Sequence, residues 1–184
     1  MCVVHTHTNL VFMEKQRLDN MLGALSLVLM DRLREAIASV SELNDTAVFA
    51  LVLLSQRPPV TLDVLAKQLA LAHSTVVRLV ERLVEDGYVE RSSGADRRAV
   101  FVSLTPAGKH LVGIVLDARR KAIGALTDQL PDDMQTALIA ICERLLESMS
   151  PDASTSVRNC RLCDEAACDL ERCPVERQYR LQVS

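Results

Sequence analysis

The stretch from Thr61 to Gly108 constrains the chain more than any other. Thr61 offers a hydroxyl that can accept a first-turn amide, which predicts a helix over 62–69. Leu71-Ala72-His73 makes a tight connection, and a second helix is expected over 74–85, with Val76, Leu79, Val80 and Leu83 on its buried face. Gly87 stands where a left-handed residue closes a helix. Residues 88–91 and 99–104 alternate apolar and polar side chains, and 92–96 carry turn chemistry, so a polar hairpin follows. Thr105-Pro106 then supplies a cap and a first helical residue.

Helices flank this unit. Leu18, Met21, Leu22, Leu25, Val28, Leu29, Leu33 and Ile37 recur at helical spacing over 16–38, in a stripe wide enough to face both its own domain and a partner. A further helix over 44–54 enters through Asn44/Asp45 and ends before Pro58-Pro59. After Pro106 the helical pattern runs to about Leu130, breaks at Pro131 and resumes to Met149. Its apolar positions exceed what a small domain buries alone, which predicts pairing across a two-fold axis; the alternative is a monomer with an internal helical cap.

The composition agrees with a mainly α (α+β) protein. Apolar residues make up 49%, yet there are three Phe, two Tyr and no Trp, so Leu, Val, Ala and Ile must build the core. The expected organisation is a disordered N-terminus over 1–15, a domain over 16–149 with its hairpin at 88–104, a linker over 150–158 and a Cys-rich tail over 159–184. No apolar run is long enough for a bilayer and no leader pattern opens the chain, so a cytoplasmic protein is expected.

A net charge of −3 does not suit phosphate binding by the whole molecule. The local balance does: between Lys67 and Lys109 there are seven Lys/Arg against five acids. Two successive helices with a tight turn and a hairpin form a winged helix-turn-helix, in which the second helix presents its N-terminal residues to the major groove. Those residues are His73, Ser74, Thr75, Val77 and Arg78. Ser and Thr can bond bases or phosphates, Val77 can meet a thymine methyl, and Arg78 can reach a guanine or a phosphate. At the hairpin, Arg97 can enter a narrow minor groove, Asp96 can brace an arginine or the turn, and Arg98 can meet a phosphate or pair with Asp96. For each residue the bland alternative is a helix cap or a solvated side chain.

The pattern L-A-x-x-L, S-T-V-x-R-L-V-x-R-L-x-x-x-G-Y-V-x-R and D-R-R-x-x-x-V-x-L-T-x-x-G resembles the MarR family of bacterial regulators, over about 16–149. The resemblance implies a homodimeric repressor on a pseudo-palindromic double-stranded DNA operator, relieved by a small-molecule effector or by cysteine oxidation. It places Ser74, Thr75 and Arg78 at recognition-helix positions and Asp96, Arg97 and Arg98 in the wing. Val77 departs from the Ser or Thr often found there.

Outside that pattern lie Cys160, Cys163, Cys168 and Cys173, spaced C-x2-C-x4-C-x4-C and followed by Pro174. Four thiols at this spacing can converge on one tetrahedral zinc ion. The compact run ending in Cys-Pro also suits an iron-sulfur cluster, and free or reversibly disulfide-bonded thiols remain a third state. Cys142, among Ile139, Ile141 and Leu145, is expected in the core. Cys2, His5 and His7 form a C-x2-H-x-H set that reads as incidental. An alternative function is a redox or electron-transfer protein centred on the four cysteines, with the helices as a platform. No nucleophile elbow, phosphate loop or paired-carboxylate pocket is recognisable, so no enzyme is expected.

Overall fold

The computed structural model describes residues 4–56, 59–93 and 100–183. Among them the chain forms helices α1 (Val4–Ala38), α2 (Asp45–Gln56), α3 (Leu62–Leu69), α4 (His73–Glu85), α5 (Pro106–Thr127), α6 (Asp132–Ser148), α7 (Ala153–Asn159) and α8 (Pro174–Val183). Strands β1 (Val60–Thr61), β2 (Val89–Ser93) and β3 (Val100–Leu104) form an antiparallel sheet ordered β1-β3-β2. Val60 pairs with Val102, and Val89 pairs with Leu104. No helix among the described residues is long and apolar enough to cross a membrane.

Helix α2 is the centre of the domain because it is apolar nearly all round. Asn44 Oδ1 caps it by accepting from the Ala47 amide at 3.0 Å, and Val48, Leu51, Val52, Leu53 and Leu54 are buried. Around it gather Leu65 of α3, Val76, Val80 and Leu83 of α4, Val89, Val102 and Leu104 of the sheet, and Val112 and Val115 of α5. The sheet therefore clamps the open end of the two-helix unit rather than forming a layer of its own.

Three expectations change. Helix α1 starts at Val4, not near Gln16, because no Pro or Gly interrupts the chain before Gly23; His5 and His7 fall in this first part, and Cys2 lies outside the described residues. Cys142 is exposed, not a core residue: α6 buries none of its residues within the single chain, and Ile139, Ile141 and Leu145 face outward with it. The segment expected as a linker is instead helix α7, because the Asp152 carboxylate caps it by accepting from the Thr155 amide at 2.9 Å. Ser150, Ser156 and Val157 are buried, and α7 packs on α3 and α8. The cysteine region is thus docked on the helix-turn-helix rather than tethered to it.

Candidate nucleic-acid interface

The two helices of the reading unit are joined by backbone geometry that the sequence only hints at. Thr61 Oγ1 accepts from the Val64 amide at 3.4 Å, opening α3 as expected. Ala70 closes it in the left-handed conformation, φ 54°, with the Leu71 amide bonded to the Ala66 carbonyl. At the far end of α4, Gly87 takes φ 78°, the Gly87 amide bonds to the Val84 carbonyl and the Tyr88 amide to the Leu83 carbonyl. Those two bonds are the Schellman closure that turns the chain directly into β2.

Ala72, not Ser74, occupies the N-cap of α4, and it has no side chain to cap with. The cap role considered for Ser74 is therefore excluded. His73, Ser74, Thr75 and Arg78 are all exposed on the outer side of α4, Val77 is half-buried, and Val76, Val80 and Leu83 are buried beneath them. The first-turn amides of an uncapped helix and the helix dipole together favour an anion there. Asp63 of α3 faces the same corner: its Oδ1 lies 2.7 Å from His73 Nδ1, a pairing that sequence reasoning did not find. Its signal is only a carboxylate ten positions before a histidine across a turn, too common to single out.

The hairpin strands are placed, with Glu90, Arg91, Ser92 and Ser93 exposed along β2. Asp96, Arg97 and Arg98, expected at its tip, lie outside the described residues. The hairpin base is locked by Thr105, whose hydroxyl donates to the Gly87 carbonyl at 2.7 Å and accepts from the Gly108 amide at 3.1 Å. Gly108 is required here because a Cβ would collide with the Tyr88 carbonyl.

The four C-terminal cysteines come together two by two. Cys160 ends α7, and the Cys163 amide folds back to the Cys160 carbonyl at 2.8 Å. The Cys163 thiol is held below the usual thiol range by a hydrogen bond with Cys160, with Arg119 adding attraction. Cys160 is correspondingly raised, by that bond and by burial. Cys168 ends a single 3-10 turn over Glu165–Ala167, and burial and Cys173 push its thiol up to about 11. Among the described residues, no three His, Cys, Asp or Glu side chains converge as they stand on a point that would hold a metal ion.

This module rests on the reading domain through α2. The Gln56 amide donates to the Cys163 carbonyl at 2.7 Å and to the Cys160 carbonyl at 3.4 Å. Arg161 lies over the Phe49 ring at 4.9 Å from its centroid, and Leu162 joins the main core. The Gln56 bonds and the Arg161–Phe49 contact were not legible from spacing, since they link positions more than a hundred residues apart.

Fold and exposed helix define a winged helix-turn-helix. The sequence profile of the MarR family matches residues 41–99. An uncharacterized HTH-type transcriptional regulator of Bacillus subtilis, YwhA, is 23% identical over 105 residues, 56% of this chain and 76% of its own. RV1404 of Mycobacterium tuberculosis is similar in structure with a TM-score of 0.67 at 26% identity, covering 72% of this chain and 92% of that one. Wild-type MarR of E. coli shares the fold, with a TM-score of 0.59 at 22% identity over 70% of this chain and 96% of its own. The similarity to the MarR family thus covers residues 41–99 by sequence and 70–72% of the chain by fold. The profile match ends well before the four cysteines.

Proposed function

We propose that the chain is a homodimeric repressor that reads a pseudo-palindromic operator with one α4 from each subunit. The observation that carries this reading is the large apolar surface left open on the helices flanking the reading domain. Leu18, Met21, Leu22, Leu25 and Val28 of α1 and Ile139, Ile141 and Met149 at α6 and its end are each about half exposed or more. Side chains of this size in a continuous stripe are unfavourable in water and mark a protein interface. Two winged units held by a two-fold axis would present their α4 helices to successive major grooves.

In this reading His73, Ser74, Thr75 and Arg78 contact base edges or phosphates and Val77 approaches a thymine methyl. Arg97 enters the minor groove, braced by Asp96, and Arg98 meets a phosphate. An open cleft of about 640 Å³ between α1 and α5, lined by Ser39, Val40, Ile114, Asp117 and Lys121, has room for a small-molecule effector. The C-terminal cysteines tune the activity through a metal or their redox state. The redox-carrier alternative draws no support from the family match, and regulation rather than catalysis is the reading we adopt.

Operator selection from random DNA with the full chain tests this. Arg78→Ala and Arg97→Ala should each weaken binding to the selected site, and Arg97→Ala should lower the salt dependence by about one phosphate. Leu25→Glu should yield folded monomers that lose the operator. A chain that sediments as a monomer at all concentrations yet keeps full operator affinity would refute the dimeric reading.

A further inference from the structure

The region after α6 is short of core. Of its residues up to 183, Val157, Pro174 and Val175 are the apolar side chains that are buried. Segments this small do not hold a fixed shape on so little burial and use a staple instead. Each of the four cysteines sits at an element boundary: Cys160 closes α7, Cys163 the turn after it, Cys168 the 3-10 turn, and Cys173 precedes the Pro174 that opens α8. Further backbone bonds tighten the second half, with the Cys173 amide on the Asp169 carbonyl at 2.8 Å. The Cys163 amide on the Cys160 carbonyl at 2.8 Å closes the first half in the same way, so the C-x2-C-x4-C-x4-C spacing is carried on two short turns.

We propose that Cys160, Cys163, Cys168 and Cys173 form one tetrathiolate metal centre, with zinc as its occupant, and that Gln56 couples this centre to the DNA-reading helices. The coupling half rests on the function proposed above; the metal half does not. Four thiols release four protons as they become the thiolate ligands of a dianionic zinc tetrathiolate. The ion draws the two pairs into one set, with the irregular segment between Cys163 and Cys173 as the part that adjusts. The knuckle over 160–163 is fixed to α2 by Gln56, by Arg161 on Phe49 and by Leu162 in the core. Helix α2 feeds β1 and α3, so a knuckle with and without metal sets two positions for the first helix of the reading unit. The docking surface suits a change of state: Ser156 Oγ of α7 and Gln68 Oε1 of α3, two helices that pack together, are buried without hydrogen-bond partners.

The test uses the full chain purified without oxygen, analysed for metal, then stripped and titrated with cobalt(II). One metal per chain and thiolate-to-cobalt charge-transfer absorption saturating at one equivalent are expected, and both should vanish in Cys163→Ser and Cys168→Ser. Iron with acid-labile sulfide would support the four-thiolate centre and replace zinc as its occupant. A chain that holds no metal and shows no cobalt absorption, or serine variants that keep both, would overturn the centre. For the coupling, metal removal should change operator affinity by roughly 5–150-fold, and Gln56→Ala should bind cobalt normally while losing most of that change. An undiminished response in Gln56→Ala would overturn the coupling and leave the centre standing. Loss of operator binding with or without metal would count against the regulator reading alone, since the cobalt spectrum needs no DNA.

Discussion

His73 Nδ1 stands 2.7 Å from Asp63 Oδ1, so the first residue of α4 is tied to the first turn of α3 across the turn between them. Both side chains are more than half exposed, and such pairs contribute only about 0–1 kcal/mol to stability. What the pair fixes is the ring: with Nδ1 engaged by Asp63, the proposed function leaves Nε2 as the nitrogen to meet DNA. Asp63→Ala should therefore leave the unfolding free energy within about 1 kcal/mol of wild type while weakening operator binding several-fold. Equal operator affinity for the two proteins would show that the orientation of His73 has no part in reading.

Gly108 and Gly113 lie in the same helix and make opposite predictions. A Cβ at Gly108 would strike the Tyr88 carbonyl, a backbone atom that cannot rotate away, whereas a Cβ at Gly113 meets nothing within 4 Å. Gly108→Ala should cost about 1–3 kcal/mol or more and loosen the base of the hairpin. Gly113→Ala should raise stability by up to about 1 kcal/mol through helix propensity in the single chain. Urea denaturation of the two variants side by side checks both signs.

How much of this was legible in the sequence follows from the range of the interactions. The local signals survived: Thr61 and Thr105 cap their helices, Gly87 is left-handed, and the apolar spacing of α4 separates Val76 and Val80 from Ser74, Thr75 and Arg78. Helix α4 opens one residue earlier than expected, at His73 with Ala72 as its N-cap, because backbone geometry rather than a capping side chain sets its start. Cys142 was misjudged because an apolar helical neighbourhood does not say whether its face meets the same chain or another. The module's attachment was invisible, since Gln56 and Cys163 are joined by a side-chain-to-carbonyl bond that leaves no periodic trace.

Ala70 carries backbone strain at the heart of the reading unit. Its φ of 54° lies in the left-handed region, where a Cβ crowds the following carbonyl at a cost of roughly 1–2 kcal/mol relative to a right-handed conformation. The residue is exposed, so its methyl group gives little burial in return. Ala70→Gly should therefore stabilise the protein by up to about 1 kcal/mol, read as a higher urea midpoint at constant slope. A lower midpoint would mean that the methyl group packs in the assembled protein.

Asp152 links acidity to the docking of the cysteine module. Its carboxylate accepts from the Thr155 hydroxyl at 2.6 Å, the Thr155 amide at 2.9 Å and the Ser154 hydroxyl at 2.8 Å. These bonds, the Thr155 hydroxyl foremost, lower its pKa from 3.8 to about 2. Because the folded value is depressed, the cap's contribution is fully present above pH 3.8 and is lost as the pH falls through about 2. The carboxyl carbon resonance of Asp152 should titrate near the lower value in the wild-type chain and shift toward 3.8 in Thr155→Val. Helix α7 carries Ser156 and Val157 into the contact with α3, so Asp152→Ala should loosen that contact first. Amide exchange should then rise in α7 and in the 160–163 knuckle while α4 stays protected; a uniform rise across the chain would show that α7 does not unfold as a separate unit.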